Sequence, residues 1–391
     1  MEFGALLSAA VILLTGLIVG KLAGYIHLPT VTGYLLGGLL IGPSLLGILS
    51  VENVQSMGII SEIALAFIAF SIGLSFKMSY LKRLGMTPVV IAFFEAFTAV
   101  ILVQIALFIA GYDLPFVIVL GSIAAATAPA STVLVIKEYK AKGPVTDTLL
   151  SVVALDDAIA LVLFGFATAI AQTLIDPIGS NSLFLSILNP FKEIGLALLL
   201  GAIAGVIMKL LLNYFTTRGG RLSILVAGVF LTSGLATQFG VSELLACMLA
   251  GLVLTNTSIE ANLMGEMSDY ITPPIYTMFF VLSGAQLQLS IIPTIGVMGI
   301  IYIIFRVIGK LSGAYTGAKI MKAPDNVRKY LGPMLIPQAG VAIGLTKVAE
   351  RVLPTHAGEI TAVILVGTLV YEFIGPIATK IALEKAGETN V

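Results

Sequence analysis

The chain has 391 residues, of which 58% are hydrophobic and 11% are charged, and its formal net charge is zero. Mean hydropathy is +1.07, far more apolar than a soluble globular protein requires. The balanced charge gives no indication of a nucleic-acid partner, and a single cysteine, Cys247, excludes an intrachain disulfide. The sequence therefore predicts an all-α polytopic protein whose partner is the lipid bilayer.

Hydrophobic runs bounded by polar residues, glycine or proline predict about thirteen transmembrane helices. The first run has no basic segment before it, so we expect it to stay in the protein rather than act as a signal peptide. We expect residues 1–391 to form a single membrane transporter domain without a cytoplasmic regulatory domain. The approximate limits of the predicted spans are 3–26, 30–48, 54–75, 86–110, 115–137, 145–172, 187–213, 221–238, 241–257, 271–288, 291–320, 327–349 and 357–381.

Basic residues are distributed unevenly between the two sides of this map. If the spans alternate in direction, the side opposite to the basic cluster holds chiefly Lys192, Lys347 and Arg351. The positive-inside rule then predicts that the N-terminus is outside and the C-terminus is cytoplasmic, in the cell (inner) membrane. The residues on the predicted cytoplasmic side are Lys77, Lys82, Arg83, Lys137, Lys140, Lys142, Arg218, Arg221, Lys319, Lys322, Arg328, Lys329, Lys380 and Lys385.

Two predicted spans contain a proline among polar residues. The fifth has Pro129 between Thr127 and Ser131, and the twelfth has Pro337 followed by Gln338. Proline removes a backbone donor and clashes with the preceding turn, so each helix should unwind or kink there. Unwound backbone at membrane depth is tolerated only where it is buried in protein or lines a cavity. A single kink is ordinary, but this pair of breaks indicates a functional crossing.

Asp156 and Asp157 lie side by side in the middle of the sixth predicted span. An ionised carboxylate at this depth costs about 3 kcal/mol on insertion scales, and two neighbours repel each other. A structural role, such as capping a broken helix, would need only one acid. The pair therefore indicates a site where protons exchange for cations.

Four of the other charged residues in apolar runs are candidates for supporting charges. Arg306 requires an acidic partner, for which Asp156 is the first candidate and Glu95 or Glu372 are the others. Lys310 is one helical turn after Arg306 on the same face, and we expect it to snorkel to the cytoplasmic edge, with a role in the site left open. Glu95 and Glu372 are expected to make structural polar contacts.

Three of these features recur in the same order at nearly equal intervals. The copies lie an odd number of spans apart, so they would run through the membrane in opposite directions. An inverted-topology repeat of this kind is typical of secondary transporters. The matching residues are Glu95 with Arg306, Pro129 with Pro337, and Asp156 with Glu372.

With these motifs the chain resembles the monovalent cation:proton antiporter superfamily (sodium/proton exchangers), in the branch of NapA-like, GerN-like and Kef-type transporters. The resemblance covers essentially the whole chain. It rests on a glycine-rich early stretch, on the first proline break, on the aspartate pair and on the intramembrane Arg306. The early stretch consists of Leu28, Pro29, Gly33, Tyr34, Gly37, Gly38, Ile41, Gly42 and Pro43.

The resemblance implies a thirteen-helix fold with two crossed, broken helices, a homodimer and an elevator-like alternating access. It implies ion-binding core helices at about 86–172 and 291–382, and dimer or scaffold helices at about 1–75 and 187–288. It also implies that Asp157 is the carboxylate that binds either cation or proton. Asp156 would pair with Arg306, while Thr127 and Ser131 would line the crossing near the ion.

The predicted function is therefore exchange of Na⁺, or another monovalent cation, for H⁺, and the chain is not expected to be an enzyme. We expect no cofactor, because the cation and the proton are transported substrates. The absence of a G-x-x-x-x-G-K-[ST] loop argues against a bound nucleotide and ATP-driven transport. Alternatives are K⁺/H⁺ antiport, or an inverted-repeat channel or organic-anion symporter.

The charge balance of the cycle depends on the partner of Asp156. If Arg306 permanently neutralises Asp156, one cation exchanges for one proton and transport is electroneutral. A lysine in the same place could surrender its proton and allow electrogenic exchange. The arginine favours the electroneutral cycle on physical grounds, whereas the aspartate pair favours the electrogenic one by resemblance. We expect electroneutral exchange.

Overall fold

The computed structural model describes residues 4–26, 28–75, 85–175, 183–287, 289, 293 and 295–389. Within them, regular structure is helical throughout. Lys77, Lys82 and Arg83, which support the predicted orientation, lie outside the described residues. The helices are α1 (Ala5–Tyr25), α2 (Thr30–Ile41), α3 (Val51–Ser56), α4 (Gly58–Ser75), α5 (Thr87–Ile109), α6 (Leu114–Ile123), α7 (Pro129–Glu138), α8 (Pro144–Ile175), α9 (Leu183–Tyr214), α10 (Arg218–Gln238), α11 (Glu243–Thr257), α12 (Ala261–Ala285), α13 (Gly296–Ile320), α14 (Asp325–Tyr330), α15 (Gly340–Val352) and α16 (Ala357–Ala386).

Seven of the described helices have the length and hydropathy to cross a membrane. Each predicted span overlaps at least one helix, but two limits were wrong. The helix of the second span, α2, ends at Ile41, just before Gly42 and Pro43, whereas the predicted limit was residue 48. The tenth begins at Ala261, ten residues earlier than predicted, because Pro273 and its neighbour are accommodated inside α12.

The described residues cluster into two compact units. Unit 1 comprises residues 1–21, 34–83 and 191–286. In it, two helices pack backbone to backbone, since a Cβ on Gly38 of α2 would lie 1.9 Å from the carbonyl oxygen of Val281 of α12. A Cβ on Gly284 would likewise lie 2.1 Å from the carbonyl oxygen of Leu35. Small residues permit this close approach of two helices.

Unit 2 comprises residues 22–33, 84–190 and 287–391. The most extensive contact between two of its described helices joins α5 and α13, which carry Glu95 and Lys310. Glycines on one face of α13 let the backbones meet, because a Cβ on Gly309 would lie 2.4 Å from the Cα of Ala99. A Cβ on Gly313 would lie 2.6 Å from the Cα of Glu95. This stripe therefore brings two charged side chains together in the interior.

The structure interrupts the fifth and twelfth predicted spans, both in unit 2, where the sequence predicted breaks. The first half of the fifth span, α6, ends at Ile123, and α7 begins at Pro129. In the twelfth span, a short 3-10 turn over Gly332–Leu335 precedes α15. The two breaks are bonded directly, since the Ala128 amide donates to the Pro337 carbonyl at 2.9 Å.

Candidate functional site

Arg306 occupies the point where the two breaks meet. Helix ends leave backbone carbonyls without partners, and such groups must be satisfied when buried. The Arg306 guanidinium donates to the carbonyls of Ala124 at 3.2 Å and Ala126 at 2.7 Å in the first break. It also donates to Ile336 at 2.7 Å and, more weakly, to Pro337 at 3.5 Å in the second. One side chain thus provides hydrogen-bond donors to backbone carbonyls of both breaks.

The predicted pairing of Arg306 with Asp156 was wrong. Arg306 is 0% exposed, and no ion pair joins it to an acid among the described residues. Its five donors form a planar fork, and carbonyls at helix C-terminal ends carry partial negative charge, so backbone replaces a carboxylate as its partner. The guanidinium carbon also lies 4.5 Å from the centroid of the Tyr371 ring.

Lys310 takes the place beside Asp156 that was predicted for Arg306. Its amine lies 2.6 Å from Glu95 Oε2 and 3.7 Å from Asp156 Oδ1. It donates to Thr127 Oγ1 at 2.8 Å and also to the carbonyl of Ala125. Lys310 is 0% exposed, so the prediction that it reaches the cytoplasmic edge was wrong. The close approach of α13 to α5 draws it inward instead.

The acids around this amine outnumber it. Glu95 interacts electrostatically with Asp156 as well as with Lys310, and Asp157 interacts with the same two residues. Both carboxylates are buried, and the Lys310 amine, which pairs closely with Glu95, lies beyond hydrogen-bond distance of Asp156. With every group ionised, three carboxylates and one amine carry a net charge of −2. Such a cluster in the interior requires protons or cations.

The remaining predicted site residues are buried in the same unit. Ser131 follows Pro129 in the first turn of α7, and its hydroxyl has no hydrogen-bond partner in the described part of the chain. Glu372 is 6% exposed in α16 and makes no ion pair with a described residue. One turn further along α16, a Cβ on Gly375 would lie 2.4 Å from Pro337 Cγ. The structure thus gathers Glu95, Thr127, Asp156 and Asp157 at Lys310, but does not bring Glu372 into that set.

Gln338 links the second break to the first. Its side-chain amide donates to the Ile123 carbonyl at 2.9 Å and to the Tyr302 hydroxyl at 3.1 Å. Sequence reasoning missed Tyr302. Tyr302, Arg306 and Lys310 are spaced by four residues, so they form one polar face of α13, and that spacing was the available signal.

Comparison with known proteins identifies the family of this chain. The family described as "Sodium/hydrogen exchanger, transmembrane" matches residues 8–385. The chain belongs to this family. It is 22% identical to the Na(+)/H(+) antiporter NhaS4 of Synechocystis sp. over 96% of this chain and 95% of that protein. It is 23% identical to the Na(+)/H(+)-K(+) antiporter GerN of Bacillus cereus over 88% of this chain and 87% of that protein.

The exchanger fold is also evident from a solved structure. The sodium proton antiporter MjNhaP1 from Methanocaldococcus jannaschii superimposes with a TM-score of 0.76 at 20% identity, covering 97% of this chain and 98% of that one. As a member of the sodium/hydrogen exchanger family, the chain is a multi-pass monovalent cation/proton antiporter and not an enzyme. This family assignment argues against the channel and organic-anion symporter alternatives.

Proposed function

We propose that this exchanger carries Na⁺ against H⁺, with the cation and the proton competing for Asp157. The observation that carries the proposal is the surplus of buried carboxylates around Lys310. Asp157 is 7% exposed and Asp156 is 1% exposed, so neither is hydrated as a surface acid is. A bare carboxylate in such a place is costly, and either a proton or a small cation relieves the cost. Competition for one position couples the two flows.

We assign the other groups according to their contacts. Glu95 holds Lys310 by the shorter ion pair, which leaves the Asp156 oxygens available for a proton. Thr127 and Ser131 offer hydroxyl oxygens at the first break, and oxygen ligands suit hard monovalent cations. Arg306 and Gln338 keep the two breaks bonded to each other and do not take part in exchange.

The architecture fits alternating access, in which the site faces the two sides of the membrane in turn. We propose that unit 2 is the mobile core and unit 1 the scaffold of a homodimer, and that the basic loops are cytoplasmic. The paired breaks and the matched charges favour an inverted repeat as the basis of that fold. The physiological role that follows is pH and sodium homeostasis at the cell membrane.

Na⁺ is favoured over K⁺ because NhaS4 and MjNhaP1 are both named for sodium. GerN is named for K⁺ as well, so K⁺ is the second candidate. The test is exchange by purified protein in liposomes, measured with a pH-sensitive dye after addition of Na⁺, Li⁺ or K⁺. We expect Na⁺ to give proton flux at the lowest concentration. Flux with K⁺ at lower concentrations than with Na⁺ would overturn the sodium assignment.

A further inference from the structure

A buried carboxylate outside the ion site has three hydrogen-bond donors. Glu388 follows α16 and is 5% exposed. The chain turns at Gly387, whose φ of 72° is the left-handed conformation that glycine adopts at helix ends. The Glu388 amide then donates back to the Leu383 carbonyl at 3.1 Å. This turn directs the side chain away from α16 and into the rest of unit 2.

The Glu388 carboxylate caps the start of α8. Its oxygens accept from the amide of Val145 at 2.7 Å, the amide of Thr146 at 2.8 Å and the Thr146 hydroxyl at 2.7 Å. The Lys142 amide donates to the Glu388 carbonyl at 3.0 Å. Gly143 leaves room for the cap, because a Cβ there would lie 2.4 Å from Glu388 Cδ. These contacts attach the chain after α16 to the first turn of α8.

The capped helix is the one that carries Asp156 and Asp157. Amides at a helix N-terminus have no intrahelical partner and favour negative charge, so the cap holds this end of α8 firmly. Asp156 lies about 18 Å further along at 1.5 Å per residue. Asp156 lies 3.7 Å from the Lys310 amine, which is longer than a hydrogen bond. Its placement beside Lys310 therefore depends on how α8 is held elsewhere.

We propose that Glu388 is a positioning residue for ion exchange, which sets the axial position of α8 and thereby the distance of the two aspartates from Lys310. The inference rests on the proposed cation site at Asp157. It predicts that loss of the cap lowers the apparent affinity for the cation. A purely structural cap would instead reduce the amount of folded protein and leave the affinity of the folded fraction unchanged.

The test compares Glu388→Gln, Glu388→Ala and Glu388→Asp with the wild type in liposomes. Initial exchange rates over a series of Na⁺ concentrations give the apparent KM and the maximal rate per reconstituted protein. We expect Glu388→Gln and Glu388→Ala to raise the apparent KM by about fivefold or more, within the usual range for coupling between separate sites. Glu388→Asp retains the charge and should recover part of the affinity.

Glu384→Gln is the matched control, because Glu384 is exposed and lies one turn earlier on α16, where it pairs with Lys380. It should leave KM unchanged. Thr146→Val removes one donor to the Glu388 carboxylate and should raise KM by less than Glu388→Ala does. If Glu388→Ala does not fold, Thr146→Val tests the cap in its place. An unchanged KM in Glu388→Gln and Thr146→Val would overturn the inference. If instead the wild type shows no Na⁺ exchange, or Asp157→Asn retains it, the proposed function fails whatever Glu388 does.

Discussion

Lys310 forms its short ion pair with Glu95, at 2.6 Å between Nζ and Oε2, and both side chains are 0% exposed. The pair exists because glycines on α13 let α5 approach at backbone distance. As a consequence, Asp156, whose Oδ1 lies 3.7 Å from Lys310 Nζ, shares the amine with Glu95, which pairs with it more closely. The ion site therefore contains one more acid than the aspartate pair alone indicated.

Removing one member of this pair should destabilise the protein more than removing both. Lys310→Met leaves Glu95 buried without its cation, and breaking a buried pair in this way costs about 3–5 kcal/mol. Adding Glu95→Gln removes the uncompensated charge and should recover much of the melting temperature. Thermal unfolding in detergent measures this. A double variant no more stable than Lys310→Met would contradict the pairing.

Exchange should respond to membrane potential. The electroneutral expectation required Arg306 beside Asp156, and the structure places Lys310 there instead. An amine can release its proton in an apolar site whereas a guanidinium does not, so the site has groups for a second proton. We expect initial Na⁺/H⁺ exchange rates in liposomes to change when a potassium–valinomycin potential is imposed.

Lys310→Arg is the informative variant for this prediction. Arginine keeps a positive charge beside Asp156 but cannot release its proton. The dependence of the exchange rate on membrane potential should therefore weaken or disappear. If the wild-type exchange rate is the same at all imposed potentials, transport is electroneutral and this prediction is wrong.

The crossing of the two breaks should depend on the guanidinium of Arg306 and not only on its charge. A lysine has three donors and no planar fork, so Arg306→Lys leaves buried carbonyls unsatisfied at about 1–3 kcal/mol each. We expect a lower melting temperature and reduced exchange. Arg351→Lys, at an exposed position near the end of α15, is the control and should behave as the wild type. Equal stability of the two variants would show that charge alone suffices.

The glycine stripe of α13 can be tested without touching a charged group. In Gly313→Ala the new Cβ would meet the Phe94 carbonyl oxygen at 2.4 Å, which forces α13 away from α5 and Lys310 away from Glu95. We expect reduced exchange and a lower melting temperature. Gly344→Ala in α15 meets nothing within 4 Å and should be neutral or slightly stabilising. Similar losses in both variants would mean that the stripe has no special role.

The sequence predicted the breaks because Pro129 and Pro337 each lie beside polar residues, and both lie at the start of or just before a helix that resumes. It failed for Arg306 because its partners are backbone carbonyls, which every residue carries and which only the tertiary fold brings near. The prediction for Lys310 was wrong because it considered only the position of this residue along α13. The glycine stripe of α13, which brings the helix close to α5, is present in the sequence but was not used. Glu388 has no motif, since capping at long range leaves no local pattern.

The central claim, that cation and proton compete at Asp157, is tested most directly by Asp157→Asn in liposomes. Asparagine keeps the size of the side chain but cannot exchange a proton, so Na⁺-driven proton flux should be lost while the protein still inserts and unfolds at a temperature near that of the wild type. Asp113→Asn, at an exposed position with no side-chain cap bond before α6, should exchange normally. Undiminished flux in well-folded Asp157→Asn protein would contradict the account.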